Sequence, residues 1–150
     1  AVGSDHACSG IVDLPTEMFL LSSAYKEVRL DPKILPPEKT MEMATLNGSA
    51  CALLQKEIGS LEAGKKADLA IFRTDLCDWL PIYNPVSNFV YAAPGASAGT
   101  VIVDGTVVME DGKILTLNEQ AIYKAVLERQ SHILESTGLK DKIAPKWPLI

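Results

Sequence analysis

Apolar residues recur along the chain with two different periods, and the change of period divides it. Residues 4–11 are small and polar; from Asp13 onward Leu14, Met18, Leu21 and Tyr25 form an apolar stripe at helical spacing. Asp13 is placed to cap that helix, Pro15 falls in its first turn where a missing N–H costs little, and Glu17 sits near the positive end of the helix dipole. After a loop punctuated by Pro32, Pro36 and Pro37, helical spacing resumes at about Glu38 with Met41, Ala44, Leu46, Ala50, Leu53 and Leu54. Asn47-Gly48 taken alone argues for a turn, but the periodicity continues across it, so the pattern predicts one helix with a close-packed face.

Past residue 58 the period is that of strands. Ile58-Gly59-Ser60-Leu61 and Ala67-Asp68-Leu69-Ala70-Ile71-Phe72 are short apolar runs separated by a turn containing Gly64. Val101-Ile102-Val103 and Val107-Val108-Met109 bracket Asp104-Gly105, a strong hairpin signal, and Glu110-Asp111-Gly112-Lys113 predicts a second tight turn before Ile114-Leu115. Residues 75–99 are expected to be loop with one strand at Phe89-Val90-Tyr91-Ala92. From Asn118 to about Ser136 an amphipathic helix returns, with Ile122, Val126, Leu127, Ile133 and Leu134 inward and Thr137-Gly138 as its C-cap. The last dozen residues read as a loosely docked tail.

Composition narrows the functional classes. The 150 residues are 47% hydrophobic and 22% charged, with no apolar run near eighteen residues, which describes a soluble globular protein and argues against a membrane role. The net charge is −5 and the 14 Lys and Arg residues are scattered, which argues against nucleic-acid binding. Cys8, Cys51 and Cys77 are too few and too dispersed for a disulfide framework or a zinc knuckle, favouring a reducing, cytoplasmic compartment. Ala1-Val2-Gly3 reads as the last residues of a buried strand, an expectation of truncation.

Candidate chemistry is sparse. Asp5 follows the expected strand end, where a carboxylate in an α/β protein points into the usual site of chemistry, although Asp after Ser is also an ordinary turn residue. His6 diverges in direction from its neighbour, and His132 lies mid-helix, so two histidines so placed cannot build a three-ligand zinc site. Cys8-Ser9-Gly10 has no second histidine nearby to activate a nucleophile. Gly95 and Gly99 lack the lysine and Ser/Thr of a phosphate loop. Met41 and Met43 are two apart and imply packing, not a groove.

More follows from likeness. Gly3-Ser4-Asp5, Asp13-Leu14, Glu17-Met18, Met43-Ala44-Thr45-Leu46-Asn47-Gly48, and above all the run from Ile58 through Gly59, Glu62, Gly64, Lys65 and Ala67 to Leu69 resemble the amidohydrolase superfamily. The likeness is to its branch of purine, S-adenosylhomocysteine and triazine deaminases, and Asn84-Pro85-Val86-Ser87 and the hairpin fit it too. The resemblance implies an α/β protein: the end of a metal-dependent (β/α)8 barrel in residues 1–57, part of a small composite β-sandwich in 58–116, and a C-terminal helix and tail in 117–150. It implies that Asp5 ligates one divalent metal, zinc or alternatively iron, and takes a proton from the attacking water, with His6, Cys8 and Ser9 near the substrate. The expected activity is deamination of a cyclic amidine of purine, pterin or triazine type, by a full-length parent that is a homo-oligomer; the isolated chain is expected to be inactive. His6, Cys8 and Gly10 depart from the glycine and the Ser-Asn pair common in this branch, which leaves the substrate open, and Leu54 replaces a helix-ending glycine. Two alternatives stand: a stand-alone, non-catalytic module that binds a partner or oligomerises, and a dechlorinase or amide-ring hydrolase on the same scaffold.

Overall fold

The computed structural model describes residues 1–5, 10, 12–140 and 142–143. It divides into two compact units, Ala1–Lys113 and Ile114–Ile150. In the first, helix α1 (Leu14–Arg29) begins at Asp13, as its sequence predicts, with proline in the first turn. The Asp13 carboxylate caps no backbone amide; it accepts the Thr16 hydroxyl at 2.5 Å. The helix stops at Leu30, whose left-handed backbone (φ 51) returns its N–H to the Glu27 carbonyl. Of the predicted stripe only Met18 is fully buried, joined by Ser22 one turn on.

The single helix expected from Glu38 is two. α2 (Pro37–Ala44) and α3 (Leu46–Cys51) meet at Thr45, whose backbone (φ −118, ψ −86) leaves the helical region. The break lies two residues before Asn47-Gly48, so that pair starts a new helix instead of ending one. No strand forms at residues 58–61, where Gly59 (φ +95) turns the chain tightly against α3. Nor are residues 1–3 a strand: they have no regular structure. A parallel strand exists only through its neighbours, and the described sheet is antiparallel and formed by other residues.

That sheet has the order β1 (Leu69–Phe72), β2 (Ala98–Val103), β3 (Thr106–Glu110), β4 (Lys113–Ile114). β1 pairs antiparallel with β2, and β2 with β3, each with one register irregularity. Both predicted turns are present, with positive φ at Asp104 and Gly105 and again at Asp111 and Gly112. Such turns match the right-handed twist of the flanking strands. Asp68 Oδ1 accepts the Asp104 N–H at 2.7 Å, tying the hairpin tip to the start of β1.

Phe89-Val90-Tyr91 is helical, not a strand: α4 spans Pro85–Tyr91. Asn84 caps it by accepting from the Val86 and Ser87 amides, Pro85 occupies the first position, and these local terms outweigh the β preference of the aromatic run. α4 packs on α1 and α2. Its Phe89 ring meets Phe72 of β1 edge-on at 4.7 Å, and Trp79, on a short 3₁₀ turn, lies 6.2 Å from Phe89. Among the described residues the buried apolar ones are Met18, Trp79, Val90 and Ala93, so this core lies where α1 and α4 meet the sheet.

In the second unit, α5 (Glu119–Thr137) has the predicted limits, with Asn118 accepting from the Ala121 amide and Gly138 left-handed at its end. Its supposed inward residues are not buried: Ile122, Val126, Leu127 and Ile133 are exposed and Leu134 is half-buried. Periodicity defines an apolar face but does not supply the surface that covers it.

Candidate active site

Asp5 has a left-handed backbone (φ 56) and is exposed. His6, Cys8 and Ser9 lie outside the described residues. His132 is exposed on α5, and Cys51 and Cys77 are free, exposed thiols. Among the described residues no three His, Cys, Asp or Glu side chains come together as a metal site.

Two polar clusters have residue types used in catalysis, and both are closed. Ser22, fully buried, hydrogen-bonds the Leu35 carbonyl at 3.0 Å and meets the Tyr91 hydroxyl at 2.8 Å. Lys26 donates to both hydroxyls, and its ammonium stands 4.6 Å from the Tyr91 ring centre. With its partners all drawn from α1, α4 and the loop before α2, the cluster fastens α1 to α4 and presents no position for a reacting atom. At the turn after Gly59, Lys65 Nζ donates to Ser60 Oγ at 2.5 Å and pairs with Glu62 at 3.2 Å, while Ser60 donates to Glu62. These bonds hold the Glu62 carboxyl below its ordinary value, the Ser60 hydrogen bond most and Lys65 next. An ion-paired ammonium is a donor, so Lys65 braces the turn and does not serve Ser60 as a base.

A third arrangement ties Asp13, at the start of α1, to the loop before β2. Asp13 packs so closely on Gly95 that a Cβ there would lie 1.9 Å from its carboxylate oxygen. The start of α1 is thereby fixed against the 3₁₀ turn Gly95–Ser97 that leads into β2. Sequence reasoning missed this contact, and the signal available was Gly95 itself. An apolar groove of about 620 Å³ lies among α1, α2 and β1, lined by Leu14, Met18, Met41, Leu69 and Phe89, with residues 59–61 along one side. Its residues come from five separate stretches, so no local pattern announces it.

Geometry alone thus defines an α/β unit with one candidate carboxylate, and comparison with known proteins supplies its class. The Amidohydrolase family profile matches residues 1–108, and the chain belongs to the amidohydrolase family. It is 39% identical over 130 residues to a 5-methylthioadenosine/S-adenosylhomocysteine deaminase of Moorella thermoacetica, covering 86% of this chain and 30% of that protein. Against an S-triazine hydrolase of Gordonia rubripertincta it is 34% identical over 143 residues, 92% of this chain and 30% of the relative. Among solved structures, a zinc-bound adenosine deaminase from Xanthomonas campestris superposes with a TM-score of 0.79 at 24% identity, over 81% of this chain and 28% of that one. The zinc complex of an atrazine chlorohydrolase from Arthrobacter aurescens gives 0.66 at 25% identity, over 76% and 25%. The chain thus spans about 30% of the length of the relatives it matches. No helix among the described residues is long and apolar enough to cross a membrane.

Proposed function

We propose that this chain is the C-terminal part of a metal-dependent hydrolytic deaminase acting on a cyclic amidine of purine, pterin or triazine type. One observation carries the reading: the family match over residues 1–108 coincides with relatives that are deaminases and a triazine hydrolase. In the reaction water adds its oxygen to the ring carbon, the C–N bond to the exocyclic amine breaks, and ammonia leaves. A bound divalent ion, zinc by the neighbours that hold it, with iron the alternative, would supply acidification of that water. Asp5 is the carboxylate proposed to hold the water's proton and return it to the leaving amine. His6, Cys8 and Ser9 are proposed to lie near the substrate. Residues 1–57 would close a barrel, 58–116 would contribute to a second β layer and 117–150 would add a helix and tail, in a cytoplasmic, homo-oligomeric parent.

A chimera tests this, with the chain replacing the matching third of the Moorella thermoacetica deaminase. Ammonia release from S-adenosylhomocysteine is expected with zinc, and Asp5→Asn is expected to lower it by about 10²-fold or more and to reduce the bound zinc. The isolated chain is expected to release none. An Asp5→Asn chimera with unchanged activity would refute the role given to that residue.

A second reading replaces the amine by chloride as leaving group, favoured by the likeness to the atrazine chlorohydrolase. Chloride release from atrazine by the same chimera, without ammonia release from the purine, would select it.

A further inference from the structure

Helix α5 carries a broad apolar face that the described residues of its own unit leave uncovered. Ile122, Tyr123, Val126, Leu127 and Ile133 are between 42% and 63% exposed. At 3.6 residues per turn these positions fall within an arc of about 140° around the helix. A surface helix ordinarily buries such a stripe against a core. The charges lie elsewhere: Lys124, Glu128 and Glu135 fall on the opposite side, where Lys124 and Glu128 pair at 4.0 Å. Covering the apolar face therefore desolvates none of them. The face is hollowed toward its C-terminal half, where Val126, Gln130, Ile133, Leu134 and Ile143 line a groove of about 340 Å³ bordered by Arg129.

We propose that this face is a contact between two copies of the chain, paired antiparallel about a two-fold axis at the level of residue 128. It gives a surface to the homo-oligomer of the proposed function and rests on that reading in nothing else. Three observations choose a second copy as the occupant. The first is area. A large apolar side chain carries roughly 200 Å² of surface, so the five exposed residues and Ile143, each about half exposed, offer about 1,200 Å² across two copies. That reaches the lower edge of what a stable dimer buries, about 1,200–2,000 Å². The second is shape. A two-fold contact must fit itself, and an axis at residue 128 sets Ile122 and Tyr123 of each copy against the hollow between residues 126 and 134 of the other. Antiparallel pairing also opposes the two helix dipoles. The third is position: the family match ends at residue 108, before α5 begins, so α5 stands outside the matched core.

Sedimentation equilibrium of the full chain over micromolar concentrations tests this. A reversible dimer of twice the 16.2 kDa chain mass is expected. Val126→Glu and Ile133→Lys each place an unpaired charge in the contact and are expected to weaken dimerisation at least about 10-fold. Val126→Met, which keeps the face apolar, and Ser131→Glu, on the opposite side, are expected to leave it unchanged. Circular dichroism of each variant, matching the parent chain at a concentration where both are monomeric, separates lost pairing from lost folding. A monomer at every concentration, or a dimer that a folded Val126→Glu variant leaves intact, would overturn the proposal. So would a 1:1 complex, in place of the dimer, with the Moorella thermoacetica deaminase truncated before the matching region, if Val126→Glu abolished that complex; the face would then belong to the larger part of the polypeptide. Because mass and not ammonia release is read, an α5-dependent dimer beside an inactive chimera would leave this contact standing and remove the enzymatic reading.

Discussion

Replacing Gly59 by alanine strains the chain in two separable ways. The backbone there has φ +95, which L side chains avoid, and a Cβ would lie 2.5 Å from Ser49 Oγ, 2.7 Å from Ser49 Cβ and 3.2 Å from the Thr45 carbonyl. Ser49 cannot swing aside freely, because it is buried and its hydroxyl donates to the Leu46 carbonyl at 2.7 Å. Left-handed backbone costs a non-glycine residue about 1–2 kcal/mol, and forcing an extra carbon into a packed site costs about 1–3 kcal/mol. Gly59→Ala is thus expected to destabilise the chain by about 2–5 kcal/mol. Urea unfolding followed by circular dichroism reads this as a lowered midpoint at an unchanged slope. The double variant Ser49→Gly with Gly59→Ala removes the clash with the Ser49 side chain and keeps the backbone term and the approach to the Thr45 carbonyl. Beyond the roughly 0.5–1 kcal/mol that Ser49→Gly costs α3 by itself, it is expected to recover about 1–3 kcal/mol. A loss below about 0.5 kcal/mol in Gly59→Ala, within the usual scatter of surface substitutions, would refute the close approach of this turn to α3.

Asn84 caps α4 and also donates to Glu38 of α2 at 3.0 Å, so Asn84→Ala should cost about 1–2 kcal/mol in the same urea experiment. The Glu62 carboxyl, held down first by Ser60 and then by Lys65, should titrate below its ordinary 4.5 by carbon NMR and move upward in Ser60→Ala. Because the folded value is the lower one, its contribution to stability is present above about 4.5 and fades as pH falls through the lowered value; a wild-type midpoint at or above 4.5 would contradict the hydrogen bond. Leu30, exposed and left-handed at the end of α1, should tolerate glycine with a gain of up to about 1 kcal/mol, read as a raised midpoint of unfolding.

Elements set by their nearest neighbours in the chain were legible in the sequence. Asp104-Gly105 and Asp111-Gly112 require positive φ in a tight hairpin, and Asn118 and Gly138 bound α5 by capping; each rule operates within four residues. α4 also has a local signal, the Asn84-Pro85 start, which overrides the strand preference of Phe89-Val90-Tyr91. The break at Thr45 lies beside the Gly59 turn, where an added Cβ would meet Ser49 and the Thr45 carbonyl, and proximity between distant segments leaves no periodic trace. The candidate site was less legible. A lone Asp5 carries no spacing that separates a ligand from a turn residue, and its significance came from likeness to a family. The groove beside β1 leaves no trace in the sequence for a third reason, since its walls come from five stretches that only the fold brings together.

The aromatic trio of Phe72, Trp79 and Phe89 gives the protein an optical gauge. Trp79 is nearly inaccessible, donates its indole N–H to Ser97 at 3.2 Å, and touches rings from both the sheet and α4. With the other tryptophan removed as Trp147→Phe, emission from Trp79 would record the separation of α4 from the sheet, shifting to the red as water reaches the indole. Fluorescence could then be compared with circular dichroism during unfolding. Agreement between them would mean that the helices and the sheet of residues 1–113 come apart as one cooperative body, and an earlier optical transition would mean that the helical layer peels away first.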